Sequence, residues 1–569
     1  MNVAVSEENI KGLECKHAVY RPSQQGGRDD LLIVKENIHT KDGKVIPNVR
    51  LVKNYERNFW VTKPGHRKHT DKKEWEDLDR VQKFTTTQRN LINAVAKAVG
   101  RPGQRGSLRM FARSPYLYGV DITTPVLLKR QYLDQFPDCQ TTSSVAVLDI
   151  ETDVVHGTGD IITVSLTFRD KAVAFATKKF MGDIPGPEDK VQKAFTQYLG
   201  QYQKERNINL EFFIAETPAA GLVKLFERAH EWMPDFITFW NIDFDMPRIL
   251  NALEREGYDP AHVLSDPRVP PEFRMARYIQ GPSQKVTATG KVTPLHPADR
   301  WHNMDCSASF YFIDAMCVYK KIRVTKGNEA SYSLDYILNK NLGVRKLRFE
   351  KADGYSGLKW HEVMQSQFKI EYVIYNLFDC ISVELLDEKT GDLSKAIGLL
   401  CEHSEYSRFP SQPRRLCDDL HFYCLKNGKV IASTSDEMRD ENDQYVLGME
   451  DWIVTLPSHM VYDNGLKVIR ELPEMTTYLR AHVADLDCVS TYPMAGWVMN
   501  ISKETTFREL CRTKDIPEFV QRRASINMTG GSTNALEICN DMLGYPKLDE
   551  LLDAFEKETD TSQSEHATA

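Results

Sequence analysis

Apolar and polar positions change rhythm along this chain, and the changes divide it. Residues 1 to about 140 alternate short apolar runs with charged loops, and RPGQRG at 101–106 is a Gly/Pro/Arg break between elements, which predicts one α+β domain. From Ser144, VAVLDIET and then DIITVSLTF are rich in β-branched residues and predict two adjacent strands with a turn around His156 to Asp160. FITFWN at 236–241 predicts another short strand, after which Pro247 marks a helix start ahead of Ile249, Leu250 and Leu253. The stretch QKVTATGKVTPLHPADRWHN at 284–303 predicts a projecting hairpin around Ala288, Thr289 and Gly290. Between 369 and 388, Ile370, Val373, Ile374, Leu377, Ile381 and Leu385 recur at three and four, which predicts a helix. Beyond Ser404, Pro410, Pro413 and Asn427-Gly428 punctuate a segment that reads as irregular, and the tail ETDTSQSEHATA reads as disordered.

A chain of 569 residues exceeds what one hydrophobic core organises, so about three domains are expected. With 41% hydrophobic and 27% charged residues it reads as soluble, and no apolar run is long enough to cross a bilayer. The opening MNVAVSEENIKG lacks a signal peptide's basic and apolar blocks, which predicts a cytosolic protein. Eleven cysteines without a CxxC pair indicate free thiols in place of a zinc knuckle or disulfide framework. The net charge of -7 does not exclude nucleic acid, because binding follows local patches. Two basic stretches exist: Lys63, His66, Arg67, Lys68, Lys72 and Lys73, and then Arg101, Arg105, Arg109 and Arg113. Each is open to two readings, a solvated face or a nucleic-acid contact.

The chemistry lies in carboxylates. In VLDIETD, Asp149 and Glu151 stand two apart on a predicted strand, so both face one way and Ile150 the other. Paired carboxylates are what a hard divalent cation such as Mg²⁺ takes as ligands. Asp245, in Trp240-Asn241-Ile242-Asp243-Phe244-Asp245, follows the next strand and either reaches the same pocket or caps the helix at Met246-Pro247. Tyr375 and Asp379 lie at i and i+4 on the predicted helix, on a face distinct from its apolar stripe. Taken singly, they would be a half-buried Tyr and an exposed Asp.

This ordered set, DxE, then Nx₂FD, then Yx₃D, resembles the Exo I, Exo II and Exo III motifs of family B DNA polymerases, with the T4-like bacteriophage branch most similar. FIDAM around Asp314 and SYSLDYI at 331–337 resemble the stretch leading to Exo III, and DLDCVSTYP at 485–493 with NIS and ET beyond it resembles polymerase motif A. Exo II is one residue shorter here than in that branch, and motif A reads STYPM in place of SLYPS. The resemblance implies an α/β and α+β multidomain chain: an N-terminal domain (1–140), an RNase H-like 3′→5′ exonuclease domain (141–390), a return to the N-terminal domain (391–470), a partial palm (471–550) and a polar tail (551–569).

Carried over by position, the resemblance implies two Mg²⁺ or Mn²⁺ ions held by Asp149, Glu151, Asp245 and Asp379, with Tyr375 orienting the attacking water. Asn241 and Phe244 would contact the strand, Phe244 as a stacking wedge unless it is a core phenylalanine, and Thr289 and Gly290 would help part primer from template. Asp487 would be a metal ligand of the palm, with Ser490 and Tyr492 contacting substrate. The substrates implied are primer-template and single-stranded DNA, in the cytoplasm of an infected bacterial host, with no membrane partner. Motif C (YxDTD) and the fingers motif (Kx₃NSxYG) are not found, so a second chain supplying fingers, motif C and thumb is expected for synthesis. A free-standing exonuclease and a noncatalytic DNA-binding replication subunit are the alternatives.

Overall fold

The computed structural model describes residues 7–435, except 25, 71, 183 and 287–291, together with a few short stretches between 461 and 534. The chain forms two compact units, Met1–Asp451 and Trp452–Ala569. The first is a mixed α/β assembly with fourteen α-helices among the described residues. In the second, Val461–Tyr462 pairs with Gly465–Leu466 and Ser525–Met528 with Gly531–Asn534, both antiparallel. Asp487, Ser490 and Tyr492, the hairpin tip with Thr289 and Gly290, and the polar tail lie outside the described residues.

The first unit opens with an antiparallel sheet of β1 (Ile10–Pro22), β2 (Asp30–Thr40) and β3 (Val45–Lys53). Next come β4 (Glu56–Thr62), β5 (Trp75–Asp77), β6 (Val81–Thr87), α1 (Leu91–Ala98), α2 (Leu108–Phe111), β7 (Leu117–Tyr118) and α3 (Thr124–Gln135). A second sheet runs β6-β4-β7, and α1 and α2 bury Leu91, Val95 and Phe111 against Phe59 and Val61 of its central strand. Leu128 and Tyr132 of α3 cover Ala18, Leu32 and Val34 of the first sheet.

The central sheet uses β8 (Val145–Thr152), β9 (Ile161–Phe168), β10 (Lys171–Thr177), then, after α4 (Lys178–Met181) and α5 (Pro187–Arg206), β11 (Asn209–Ala215). Helix α6 (Pro218–Trp232) leads to β12 (Phe236–Phe239) and α7 (Ile242–Arg255); α8 (Pro260–Leu264), β13 (Ala276–Ile279), β14 (Gln284–Val286), β15 (Val292–Pro294) and β16 (Asn303–Cys306) precede β17 (Tyr311–Asp314). The strand order is β11-β10-β9-β8-β12-β17, with β9 antiparallel to both neighbours and the β8-β12-β17 edge parallel. A parallel edge needs helical crossovers, so helices cover both faces. One face packs Leu222, Phe226, Met246 and Ile249 of α6 and α7. The other packs Phe195 and Leu199 of α5 with Val373, Ile374, Leu377 and Ile381 of α12 (Lys369–Thr390). Between β17 and α12 lie α9 (Ala315–Ile322), α10 (Leu334–Leu342) and α11 (Gly357–Gln367), and α13 (Ile397–Cys401), α14 (Gln412–Lys426) and β18 (Lys429–Ile431) follow.

The two strands predicted from Val145 are adjacent and antiparallel, and β14 pairs with β15 in an exposed antiparallel ladder at the expected hairpin. Two expectations change. Pro247 lies inside α7, five residues after its first residue Ile242; the start is set instead by Asp314 Oδ2, which accepts from the Ile242 N–H at 2.9 Å. The segment beyond Ser404 is not irregular but contains the fifteen-residue α14, with Pro413 in its first turn, where the missing N–H costs no helical bond. β18 then pairs with β5, and Ala432 bridges Tyr118, so the chain comes back to the strands near its beginning. The first sheet is tied to the central one by Lys35, whose buried ammonium donates to the Met233 carbonyl at 2.8 Å and lies 3.7 Å from Asp235.

Candidate metal centre

The site forms where the centre of the sheet meets its longest helix. β8 alternates, so Ala146, Leu148 and Ile150 enter the core while Asp149 and Glu151 stand half-buried on the opposite face. Facing them, α12 presents Tyr372, Tyr375, Asn376 and Asp379, at i, i+3, i+4 and i+7, which is one helical stripe. Asp149, Glu151 and Asp379 each bring a carboxylate oxygen within 4.8 Å of the others. Such an all-oxygen donor set suits a hard divalent cation.

The carboxylates are held from behind. Asn376 Nδ2 donates to Asp149 Oδ2 at 2.7 Å, and the amide is fixed by the Ser165 hydroxyl on its oxygen at 2.5 Å. The Tyr372 hydroxyl donates to Glu151 Oε2 at 2.5 Å. Its single proton is thus committed, so it accepts from His361 Nδ1 at 2.8 Å and from Gln365 Nε2 at 3.2 Å. Gln365 also grips the end of β8, donating to the Thr152 carbonyl and accepting from the Val154 N–H. Lys346 Nζ donates to Asp379 Oδ2 at 2.5 Å and to the Tyr375 hydroxyl at 3.0 Å. The other oxygen of Asp379, Oδ1, is buried and has no hydrogen-bond partner. An orphaned buried carboxylate oxygen carries a large desolvation cost, which a cation in the pocket would offset.

Charge tells the same story. Burial raises the Asp149 carboxyl above its ordinary range, and Asp245, Asp379 and Glu151 raise it further. Burial also lifts Glu151 to about 7, against the Tyr372 hydrogen bond. Asp245 is raised by burial and then by Glu151 and Asp314, and Asp379 by burial, opposed by Lys346. For Lys346 burial works against the charge, but Asp379, Tyr375 and Asp149 outweigh it and hold the ammonium above its usual value. One ammonium faces four acids, so a deficit of positive charge remains.

Asp245 does not cap α7. It is buried in the first turn of the helix, close enough to Asp149 and Glu151 to shift with them, but outside the group of three oxygens. Asn241, half-buried, precedes the helix without a side-chain cap. Phe244 is not a core residue: its ring is exposed and the Arg248 guanidinium lies over it at 3.8 Å. Tyr375 and Asp379 are both buried, not half-exposed, because α12 is enclosed by α5, α10, α11 and the sheet, which leaves it almost no solvent face. Beside Tyr375 a cavity of about 290 Å³ is lined by Asp335, Lys346, Arg348, Tyr355, Trp360 and His361.

The sequence reading missed Lys346, Tyr372, Asn376, Gln365 and His361. Tyr372 and Asn376 had a signal, since they share the helical spacing of Tyr375 and Asp379. Lys346 had none, because a coil between α10 and α11 delivers it. Glu402, His403 and Asp419 also cluster, but the two ring nitrogens of His403 face different carboxylates, at 3.6 and 3.2 Å. No family model and no curated protein sequence matches the chain.

Proposed function

We propose that this chain is a metal-dependent 3′→5′ DNA exonuclease, the N-terminal portion of a family B DNA polymerase of the T4-like phage kind. The observation that carries the reading is the Asp149, Glu151 and Asp379 oxygens converging on one point, with Asp379 Oδ1 left without a partner. A mixed sheet covered by helices on both faces, with the acids on a central strand and the facing helix, supports an RNase H-like fold.

Asp149, Glu151 and Asp379 would hold Mg²⁺ or Mn²⁺, with Asp245 supporting a second ion. Two such ions supply Lewis-acid stabilisation of the attacking and leaving oxygens of an in-line displacement. The chain's own groups do the positioning. The Tyr375 hydroxyl, fixed by Lys346, orients a water toward the terminal phosphorus. As the water oxygen bonds to phosphorus and gives up a proton to solvent, the bond to the penultimate 3′ oxygen breaks, that oxygen takes up a proton from solvent to become the new 3′-hydroxyl, and a nucleoside 5′-monophosphate leaves. Tyr355 and Trp360 in the adjoining cavity offer aromatic walls for the terminal base, and exposed Phe244 a stacking surface for the next.

DNA synthesis with a complementing chain belongs to the same reading and rests on the motif around Asp487, Ser490 and Tyr492. The test uses 5′-labelled single-stranded DNA with Mg²⁺. A ladder shortening from the 3′ end, abolished by a blocked 3′ terminus, is expected. Endonucleolytic cuts, or no cleavage under any divalent cation, would overturn the proposal.

A further inference from the structure

Residues 63–113 carry thirteen Lys and Arg against five Asp and Glu, a net of +8 inside a chain whose total is -7. The fold concentrates this charge. The loop after β4 folds onto the segment around α2: the Arg67 guanidinium lies over the Tyr116 ring at 5.4 Å, the Tyr116 hydroxyl donates to the His69 carbonyl at 2.7 Å, and Lys72 Nζ bonds the Ala112 carbonyl. The loop that carries the first basic stretch therefore packs against the segment in which the second one ends, next to Arg109 and Arg113.

Two of its acids are already engaged. Glu76 takes Lys73 and Arg80, and Asp77 takes Arg80. Lys63 and Arg67 bond only backbone carbonyls, of Asp79 and Thr62. Among the described residues, Lys68, Arg101, Arg105 and Arg109 are exposed and make no ion pair. Six cations thus face solvent without a carboxylate. Within 63–113 the exposed large hydrophobic side chains are Trp75, which lies under the Lys429 ammonium, and Ile92; none lies in 63–70 or 101–113 among the six cations, so the surface has no apolar face with which to enter a bilayer.

We propose that this basic lobe is a second, sequence-independent binding surface for the phosphate backbone of single-stranded nucleic acid, separate from the carboxylate site. A cluster of exposed cations without carboxylate partners neutralises successive phosphates and releases their counterions. The lobe retains the strand while the acids work on its end. The inference needs only the lobe's own geometry and stands whether or not the carboxylates hydrolyse DNA.

The test measures binding of a thirty-nucleotide oligothymidylate to the full chain in EDTA, as a function of KCl. Two variants carry triple substitutions, Arg101→Ala/Arg105→Ala/Arg109→Ala and Lys63→Ala/Arg67→Ala/Lys68→Ala. All six side chains are exposed, and those of the first set make no hydrogen bond or ion pair within the described residues. Each triple is expected to weaken binding at least tenfold at 100 mM KCl and to flatten the slope of log K against log salt by about 2, the value for three phosphates on a single strand. Mg²⁺-dependent hydrolysis of a thymidine 5′-monophosphate p-nitrophenyl ester, too short to reach the lobe, stays unchanged. Unaltered affinity and slope in both variants would overturn the proposal, as would binding to phosphatidylserine vesicles in preference to the oligonucleotide. Loss of oligonucleotide binding in a chain that hydrolyses nothing would uphold the lobe and sink the exonuclease reading.

Discussion

The carboxylate centre and the basic lobe are both strongly charged, yet they are built in opposite ways. In the first, four acids share one largely buried pocket and three are gripped from behind: Asp149 by Asn376, Glu151 by Tyr372 and Asp379 by Lys346. In the second, the cations stand in solvent on loops and on the short helix α2, without carboxylate partners. Burial multiplies the interaction of each charge but fixes its geometry, whereas exposure leaves each charge weak and additive. A site that must orient a reacting phosphate needs the former, and a surface that must slide along a backbone needs the latter.

The comparison breaks most sharply at the acids. Asp149→Ala or Asp245→Ala is expected to lower cleavage of single-stranded DNA by about 10⁴-fold, as removal of one member of a catalytic unit does. Full activity in either folded variant, read by a gel assay, would show that burial here serves structure alone. Next in size is Lys346→Met, which strands the Asp379 charge. In EDTA it should destabilise the chain by up to the roughly 3–5 kcal/mol of a fully buried broken pair, less because Lys346 is partly exposed, and Mg²⁺ should restore much of the loss. A thermal melt with and without Mg²⁺ checks this.

Smaller effects sharpen the picture. Tyr372→Phe frees Glu151 from its hydroxyl donor on α12 and should slow cleavage about 10- to 100-fold, the range for groups that orient a ligand. Tyr375→Phe should slow cleavage while leaving Mn²⁺ affinity nearly unchanged in calorimetry, since its hydroxyl is held by Lys346 and is not one of the three converging carboxylate ligands. The raised acids also give a pH signature. Glu151 titrates near 7 in the folded chain against 4.5 when free, so the folded state binds the extra proton between those values. Without metal, its contribution to stability is full below about 4.5 and is lost as pH rises through 7. A melting temperature that falls from pH 5 to 7.5 in EDTA, and falls less in Mg²⁺, is the expected result.

The contrast also explains what the sequence disclosed. The β8 and α12 acids were legible because period two and period 3.6 place them without knowledge of the partner element. The buried setting of Tyr375 and Asp379 was not, since the apolar stripe says which face of α12 packs first but not that α5, α10 and α11 enclose the rest. Asp314 was visible only as a landmark; that it caps α7 through Ile242 and α9 through Cys317 depends on β17 lying next to β12. Helix α14 was hidden because Pro413 reads as a break in a chain and as a first turn in a helix. The basic stretches were plain in composition, but the packing of the first against the segment around Tyr116 is a product of the fold.

The central claim is that the buried acids exist to hold divalent cations. A Mn²⁺ titration of the full chain followed by electron paramagnetic resonance, run on the wild type, Asp149→Asn and the Arg101/Arg105/Arg109 triple alanine variant, tests it directly. The account predicts tight binding in the wild type, equal binding in the lobe variant and loss of that binding in Asp149→Asn. Tight Mn²⁺ binding that survives Asp149→Asn unchanged, or no tight binding in the wild type, would contradict it.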